Sequence, residues 1–120
     1  MTETGMSLGT PHYMSPEQLA GGAVDAVADL WALGIILYQM VSGRRPFEAS
    51  TRPALLYRIA NDHPPPLAEL RRDIPPGLGE VIERCLKKRP EMRVPSARAL
   101  GDALVRIRRS LEPDSARRRA

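Results

Sequence analysis

The chain is poor in the side chains that build metal and redox sites. It has one cysteine, Cys85, and two histidines, His12 and His63, among its 120 residues. A single thiol excludes an intramolecular disulfide. With the two histidines far apart in sequence, a Cys/His zinc cage is excluded too, and no metal site is expected. A reducing, cytoplasmic setting is the default that follows. Aromatic residues make up 4% of the chain, so a core has to come from Leu, Ile, Val, Ala and Met. The apolar content of 42% is enough to build one. There is no long hydrophobic run. The apolar stretch after Asp29 lasts about ten residues before Gln39, against roughly 20 needed to cross a bilayer, so burial within protein is expected. The polar start, Met-Thr-Glu-Thr-Gly, gives no sign of a secretory signal.

The net charge is +4. The basic residues are dispersed over Arg44-Arg45, Arg71-Arg72, Lys87-Lys88-Arg89, Arg106 to Arg109 and Arg117 to Arg119. They fall mainly at expected helix ends and in the tail, with no interleaved aromatics. This is the pattern of a solvated surface, and no nucleic-acid partner is expected.

Twelve prolines and nine glycines imply short elements joined by many turns. Residues 1–14 lack periodicity and are expected to form an extended loop. Ser15-Pro16-Glu17 carries helix-start chemistry: an N-cap hydroxyl, a proline in the first turn and an acid where the helix dipole favours it. Gly21-Gly22 ends that short helix. A long helix is expected over 25–42, apolar on nearly every side and therefore buried. Ser42-Gly43 stops it. A short helix is expected over 53–61, its inner face Leu55, Leu56 and Ile59. A proline-rich loop follows, with one turn around Leu67 to Leu70. The next helix, 78–87, places Leu78, Val81, Ile82, Cys85 and Leu86 on one face, which makes Cys85 a core thiol rather than a nucleophile. Ser96 caps a last helix whose stripe is Ala97, Leu100, Leu104, Ile107 and Leu111. Pro113 ends it, and 112–120 is expected to be a disordered basic tail. The sum is an all-α unit of about five helices.

Three short patterns occur in order. Residues 9–17 read Gly-Thr-Pro-His-Tyr-Met-Ser-Pro-Glu, residues 28–34 read Ala-Asp-Leu-Trp-Ala-Leu-Gly, and residues 89–93 read Arg-Pro-Glu-Met-Arg. Together they resemble the C-terminal lobe of the bacterial, eukaryotic-like serine/threonine protein kinases. The resemblance covers about residues 1–111. It implies a helical kinase C-lobe over 15–111, preceded by the end of the activation segment and the substrate pocket over 1–14.

That resemblance assigns roles to particular residues. Gly9, Thr10, Pro11 and Tyr13 would line the substrate pocket, and a Thr followed by Pro-x-Tyr resembles the serine/threonine class. Glu17 would pair with Arg93 and hold the end of the activation segment to the helices. On its residues alone, Glu17 is equally a carboxylate at a helix start. Asp29 would support the backbone of a catalytic loop, with Trp31 as packing bulk and Gly34 as a close backbone contact. Read without the resemblance, Asp29 is an exposed acid near a helix start. Thr2 and Thr4 stand where similar kinases carry an autophosphorylated pair. His12 is expected to face solvent, and Arg44-Arg45 to be an exposed basic pair.

The parts that perform phosphoryl transfer are not in the sequence. There is no Gly-rich loop of the form G-x-G-x-x-G, no His-Arg-Asp loop and no Asp-Phe-Gly. The expectation is therefore a scaffold lacking its N-lobe and catalytic loop, inactive alone, with ATP and Mg²⁺ belonging to a parent kinase that acts on protein Ser/Thr. A membrane anchor elsewhere in that parent stays open. Two other readings stand beside it: a non-catalytic protein-interaction module derived from a kinase, and a small basic helical DNA-binding protein.

Overall fold

The structure is a computed structural model that describes residues 10–22 and 25–113. It is helical, and no strand occurs among the described residues. Six α-helices are described: α1 (Pro16–Leu19), α2 (Ala26–Ser42), α3 (Arg52–Asn61), α4 (Leu67–Leu70), α5 (Leu78–Cys85) and α6 (Ala97–Ser110). Single 3₁₀ turns occupy Thr10–Tyr13 and Pro90–Met92. The end of the stretch expected to be extended thus winds into a turn. The single turn expected near Leu67 is the short helix α4, and it raises the helix count above five.

Local chemistry sets the helix starts. Asp25 caps α2, its carboxylate accepting from the Ala28 amide at 3.0 Å. Thr51 and Ser96 cap α3 and α6 in the same way, at 3.2 and 3.0 Å. Such a cap contributes about 1 kcal/mol by satisfying an amide that has no partner within the helix. The start of α4 is satisfied from a distance: the Glu83 carboxylate, on α5, accepts from the Leu67 amide at 2.7 Å. Gly43 ends α2 with φ at 74°, a left-handed conformation that suits glycine.

Helix α2 is the central rod. Trp31, Ile35 and Tyr38 are fully buried and join Phe47, Leu55, Ile59, Leu67, Ile82 and Leu86 in the main core. A second cluster joins Leu30, Cys85, Val94 and Leu100 and seats α6. At about 1.5–3 kcal/mol for each large side chain buried, these clusters outweigh every polar contact in the molecule. The rod is nevertheless not enclosed on all sides. Leu33, Ile36 and Met40 are 38%, 43% and 74% exposed. They follow Asp29 at spacings of four, three and four and so share one face with it. No helix of the described chain is long and apolar enough to cross a membrane.

A very close approach lies between α2 and the end of α5. A Cβ placed on Gly34 would lie 2.7 Å from the Cys85 Cβ and 3.0 Å from a Leu86 methyl. Rotating a side chain cannot relieve a Cβ–Cβ clash, so the two segments would have to separate. Gly34→Ala should therefore destabilise the protein by about 1–3 kcal/mol, although alanine favours a helix. A lowered midpoint in urea unfolding followed by circular dichroism checks this; an unchanged midpoint contradicts it. Cys85 beside it is fully buried, and burial pushes its thiol up to about 11, with Arg84 and Arg93 pulling it back only in part. Cys85 should resist a thiol reagent at pH 8 in the native protein and react at once in denaturant. Rapid labelling of the native protein would contradict the packing.

Candidate functional site

The described segment before α2 is held to the helical body at two places and braced within itself at another. The first is the turn at 10–13. The Tyr13 hydroxyl donates to the Gln39 side-chain oxygen on α2 at 3.2 Å. Arg45 Nη1 lies 3.1 Å from His12 Nε2. Arginine has no acceptor to offer, so the imidazole nitrogen must accept and the ring proton sits on Nδ1. Nδ1 is buried and has no partner among the described residues. Burial lowers the His12 pKa, the Arg45 charge lowers it further, and Glu48 opposes both. The sequence reading put His12 in solvent. It is half-buried instead, because Arg45 reaches over it from the turn after α2.

The second is the start of α1. The Ser15 hydroxyl accepts from the Gln18 amide at 3.3 Å, while the Gln18 side chain accepts from the Ser15 amide at 2.8 Å. This reciprocal capping box fixes the chain's entry into the helix, and Ser15 is fully buried.

The third is a salt bridge from α1 to the segment between α5 and α6. Arg93 Nη1 donates to Glu17 Oε2 at 2.6 Å, and Nη2 donates to Glu17 Oε1 at 2.7 Å. Arg93 is 1% exposed. Its remaining N–H groups are also matched: Nε donates to the Lys87 carbonyl at 2.8 Å, Nη1 to Val27 at 3.3 Å and Nη2 to Lys88 at 3.2 Å. All five donors of the guanidinium thus have acceptors, and its flat face lies 5.0 Å from the Trp31 ring centroid. Burial by itself raises the Glu17 carboxyl. The hydrogen bonds from Arg93, the backbone and Ser15, together with the Arg93 charge, outweigh burial and hold the carboxyl below its usual range. The end of α1 folds tightly over this pair. The Gly22 amide donates to the Glu17 carbonyl at 2.7 Å, and a Cβ on Gly22 would lie 2.7 Å from that oxygen.

The other candidates fall in different places. Asp29 is exposed on the first turn of α2, and no described residue donates a hydrogen bond to its carboxylate. Trp31 is buried and stacks on Phe47, ring centroids 5.8 Å apart and 2° from parallel. Gly34 is buried against Cys85 and Leu86. Thr10 and Pro11 lie in the 3₁₀ turn with Tyr13. Gly9, Thr2 and Thr4 lie outside the described residues.

Lys88 went unnoticed in the sequence. Its ammonium donates to the Ile59 carbonyl at 2.7 Å and lies 4.2 Å from the Phe47 ring centroid. Burial lowers its pKa to about 8, with Asp62 raising it and Arg93 lowering it. The Lys-Lys-Arg run at 87–89 disguised it as surface charge. No group of three or more metal-binding side chains occurs among the described residues. A groove of about 590 Å³ between α5 and α6, lined among others by Val81, Ala103 and Ile107, shares no residue with these contacts.

The sequence also matches known proteins. The sequence pattern of the protein kinase domain matches residues 2–105. Serine/threonine-protein kinase PksC of Streptomyces coelicolor is 43% identical over 109 residues, which is 91% of this chain and 20% of that protein. Serine/threonine-protein kinase PknA of Mycobacterium tuberculosis is 36% identical over 94% of this chain and 26% of its own length. The DNA damage-responsive serine/threonine-protein kinase RqkA of Deinococcus radiodurans is 38% identical over 98% of this chain and 18% of its own length. The chain therefore spans about a quarter or less of the length of each relative. With a helical body of this kind and a family match over most of its length, the chain belongs to the protein kinase domain family, as part of the C-terminal lobe.

Proposed function

We propose that this chain supplies the substrate-facing scaffold of a protein kinase that transfers the γ-phosphoryl group of ATP to Ser or Thr hydroxyls of proteins. In that reaction the substrate oxygen bonds to the γ-phosphorus, the bond to the ADP oxygen breaks, and the hydroxyl proton leaves to a base. Neither that base nor a nucleotide or Mg²⁺ site can be built from the described residues. ATP and Mg²⁺ belong to the whole kinase.

The observation that carries the reading is the bidentate Glu17–Arg93 pair. It joins the segment after the 10–13 turn to the connection between α5 and α6 and fixes orientation as well as position. Gly9, Thr10, Pro11 and Tyr13 then form the pocket for the residues flanking the acceptor. Tyr13, tied to Gln39, fixes the pocket's height above α2. The exposed face carrying Asp29, Leu33, Ile36 and Met40 receives the catalytic loop and the upstream half of the kinase. An acid at the end of an uncovered apolar stripe suits that partner: the stripe buries and the carboxylate takes backbone amides. Thr2 and Thr4 are the proposed phosphorylation sites, where added charge orders the loop.

The purified chain should show no ATP-dependent phosphorylation of a Ser/Thr peptide. Joined to the N-terminal half of a relative such as PksC, it should restore that activity. A rate measurable with the chain alone contradicts the first part, and an inactive but folded chimera contradicts the second. In an active chimera, Glu17→Gln should lower kcat about 10–100-fold while leaving the KM for ATP within about twofold, because it loosens the peptide and not the nucleotide. An unchanged kcat contradicts the anchoring role. The same pair gives an acid signature. The folded Glu17 carboxyl titrates below its ordinary value of 4.5, so its stabilisation is complete above that pH and is lost as pH falls through the lower folded value. Urea midpoints measured between pH 6 and pH 3 (roughly the carboxylate range) should fall less steeply for Glu17→Gln than for the native chain. Parallel slopes contradict this.

A further inference from the structure

A cavity of about 440 Å³ opens beside the turn between α2 and α3, lined among others by Tyr38, Arg44, Arg45, Glu48, Arg58 and Leu70. Three arginines and one glutamate line it. No described carboxylate forms an ion pair with Arg44, Arg45 or Arg58. The rest of the wall is neutral and fixed: the Tyr38 hydroxyl donates to the Pro65 carbonyl at 2.5 Å, so it offers no competing charge. The cavity is also tied to the 10–13 turn, since Arg45 is the group that reaches His12.

We infer that this cavity binds an acidic segment of the protein substrate, taking Asp or Glu side chains that lie away from the phosphoacceptor. The inference rests on the kinase reading for its choice of a protein substrate. The argument for the occupant is charge complementarity in a concave site. Guanidinium forks match carboxylates in pairs, and an excess of them around a hollow attracts an anionic partner. The placement adds a direction. Arg45 borders both the 10–13 turn and the cavity, so acidic residues bound there need not adjoin the acceptor. Arg45 already reaches His12, and Arg44 would otherwise have no charged partner among the described residues.

The test is fluorescence anisotropy with the 120-residue chain and a labelled peptide that carries one Thr and several Asp and Glu residues. Its partner peptide has Asn and Gln in their place. The acidic peptide should bind about tenfold more tightly at low ionic strength. Arg44→Glu with Arg45→Glu should remove that preference. Arg108→Glu with Arg109→Glu on α6, an identical change of net charge, should leave it in place. Arg45→Lys, which keeps the charge and loses the fork, should retain part of it. Circular dichroism of each variant separates loss of binding from loss of fold. Equal weakening by both reversed pairs would mean diffuse attraction and overturn the inference. So would displacement of the peptide by millimolar inorganic phosphate (~1 mM, a weak-ligand range) with the same dependence on Arg44 and Arg45. Binding needs no phosphoryl transfer. An active chimera without acidic preference sinks this inference alone, and acidic binding by a chain whose chimera stays inactive sinks the kinase reading alone.

Discussion

A guanidinium that is 1% exposed lies where water cannot reach it, and the charge of Arg93 has to be met by protein. Burying an unpaired charge costs several kcal/mol, so this position is tolerated only because Glu17 and three backbone carbonyls surround it. Those acceptors come from three places: α1, the first turn of α2, and the segment after α5. One side chain therefore sets the mutual position of α1, the central helix and the segment after α5. The pair is weak evidence for net stability, because packed apolar groups could fill the same space. What it confers is geometry. Glu17 can sit in one place and one orientation, and the turn at 10–13 is carried along with it.

The apolar core supplies the rigidity against which that geometry is defined. Trp31 connects the two, stacking on Phe47 on one side and lying beside the Arg93 guanidinium. Lys88 covers the Phe47 face and is desolvated in doing so. Two cations thus flank one aromatic pair without a carboxylate bonded to Lys88, an arrangement that ring quadrupoles and backbone carbonyls make tolerable. The close approach at Gly34 extends the same logic to the backbone. Only a residue without a side chain lets the Cys85–Leu86 backbone come this near to α2.

Much of this was legible in the residues, and the reasons differ from place to place. The long helix could be read from a run of apolar residues, and its limits from Asp25 and Gly43. The family emerged from three short patterns in a fixed order, since no single one would have sufficed. The Glu17–Arg93 pairing was not legible from spacing. Nothing in a separation of 76 residues says that two charges meet, and only the resemblance suggested it. The covered and uncovered sides of α2 were equally hidden. Leu33 and Leu37 look alike in sequence, and which of them is buried depends on neighbours that periodicity does not reveal. The capping box at Ser15 and Gln18 was written in the sequence as Ser-x-x-Gln and passed over. His12 was misjudged because its environment comes from Arg45, which lies 33 residues away.

The account turns on whether Glu17 and Arg93 act as one unit. A double-mutant cycle with Glu17→Gln, Arg93→Gln and the double variant, followed by urea unfolding, measures this directly. The account predicts a coupling energy above about 1 kcal/mol, with the double variant losing clearly less than the sum of the single losses. Losses that add to within about 0.3–0.5 kcal/mol would show two independent side chains and contradict it.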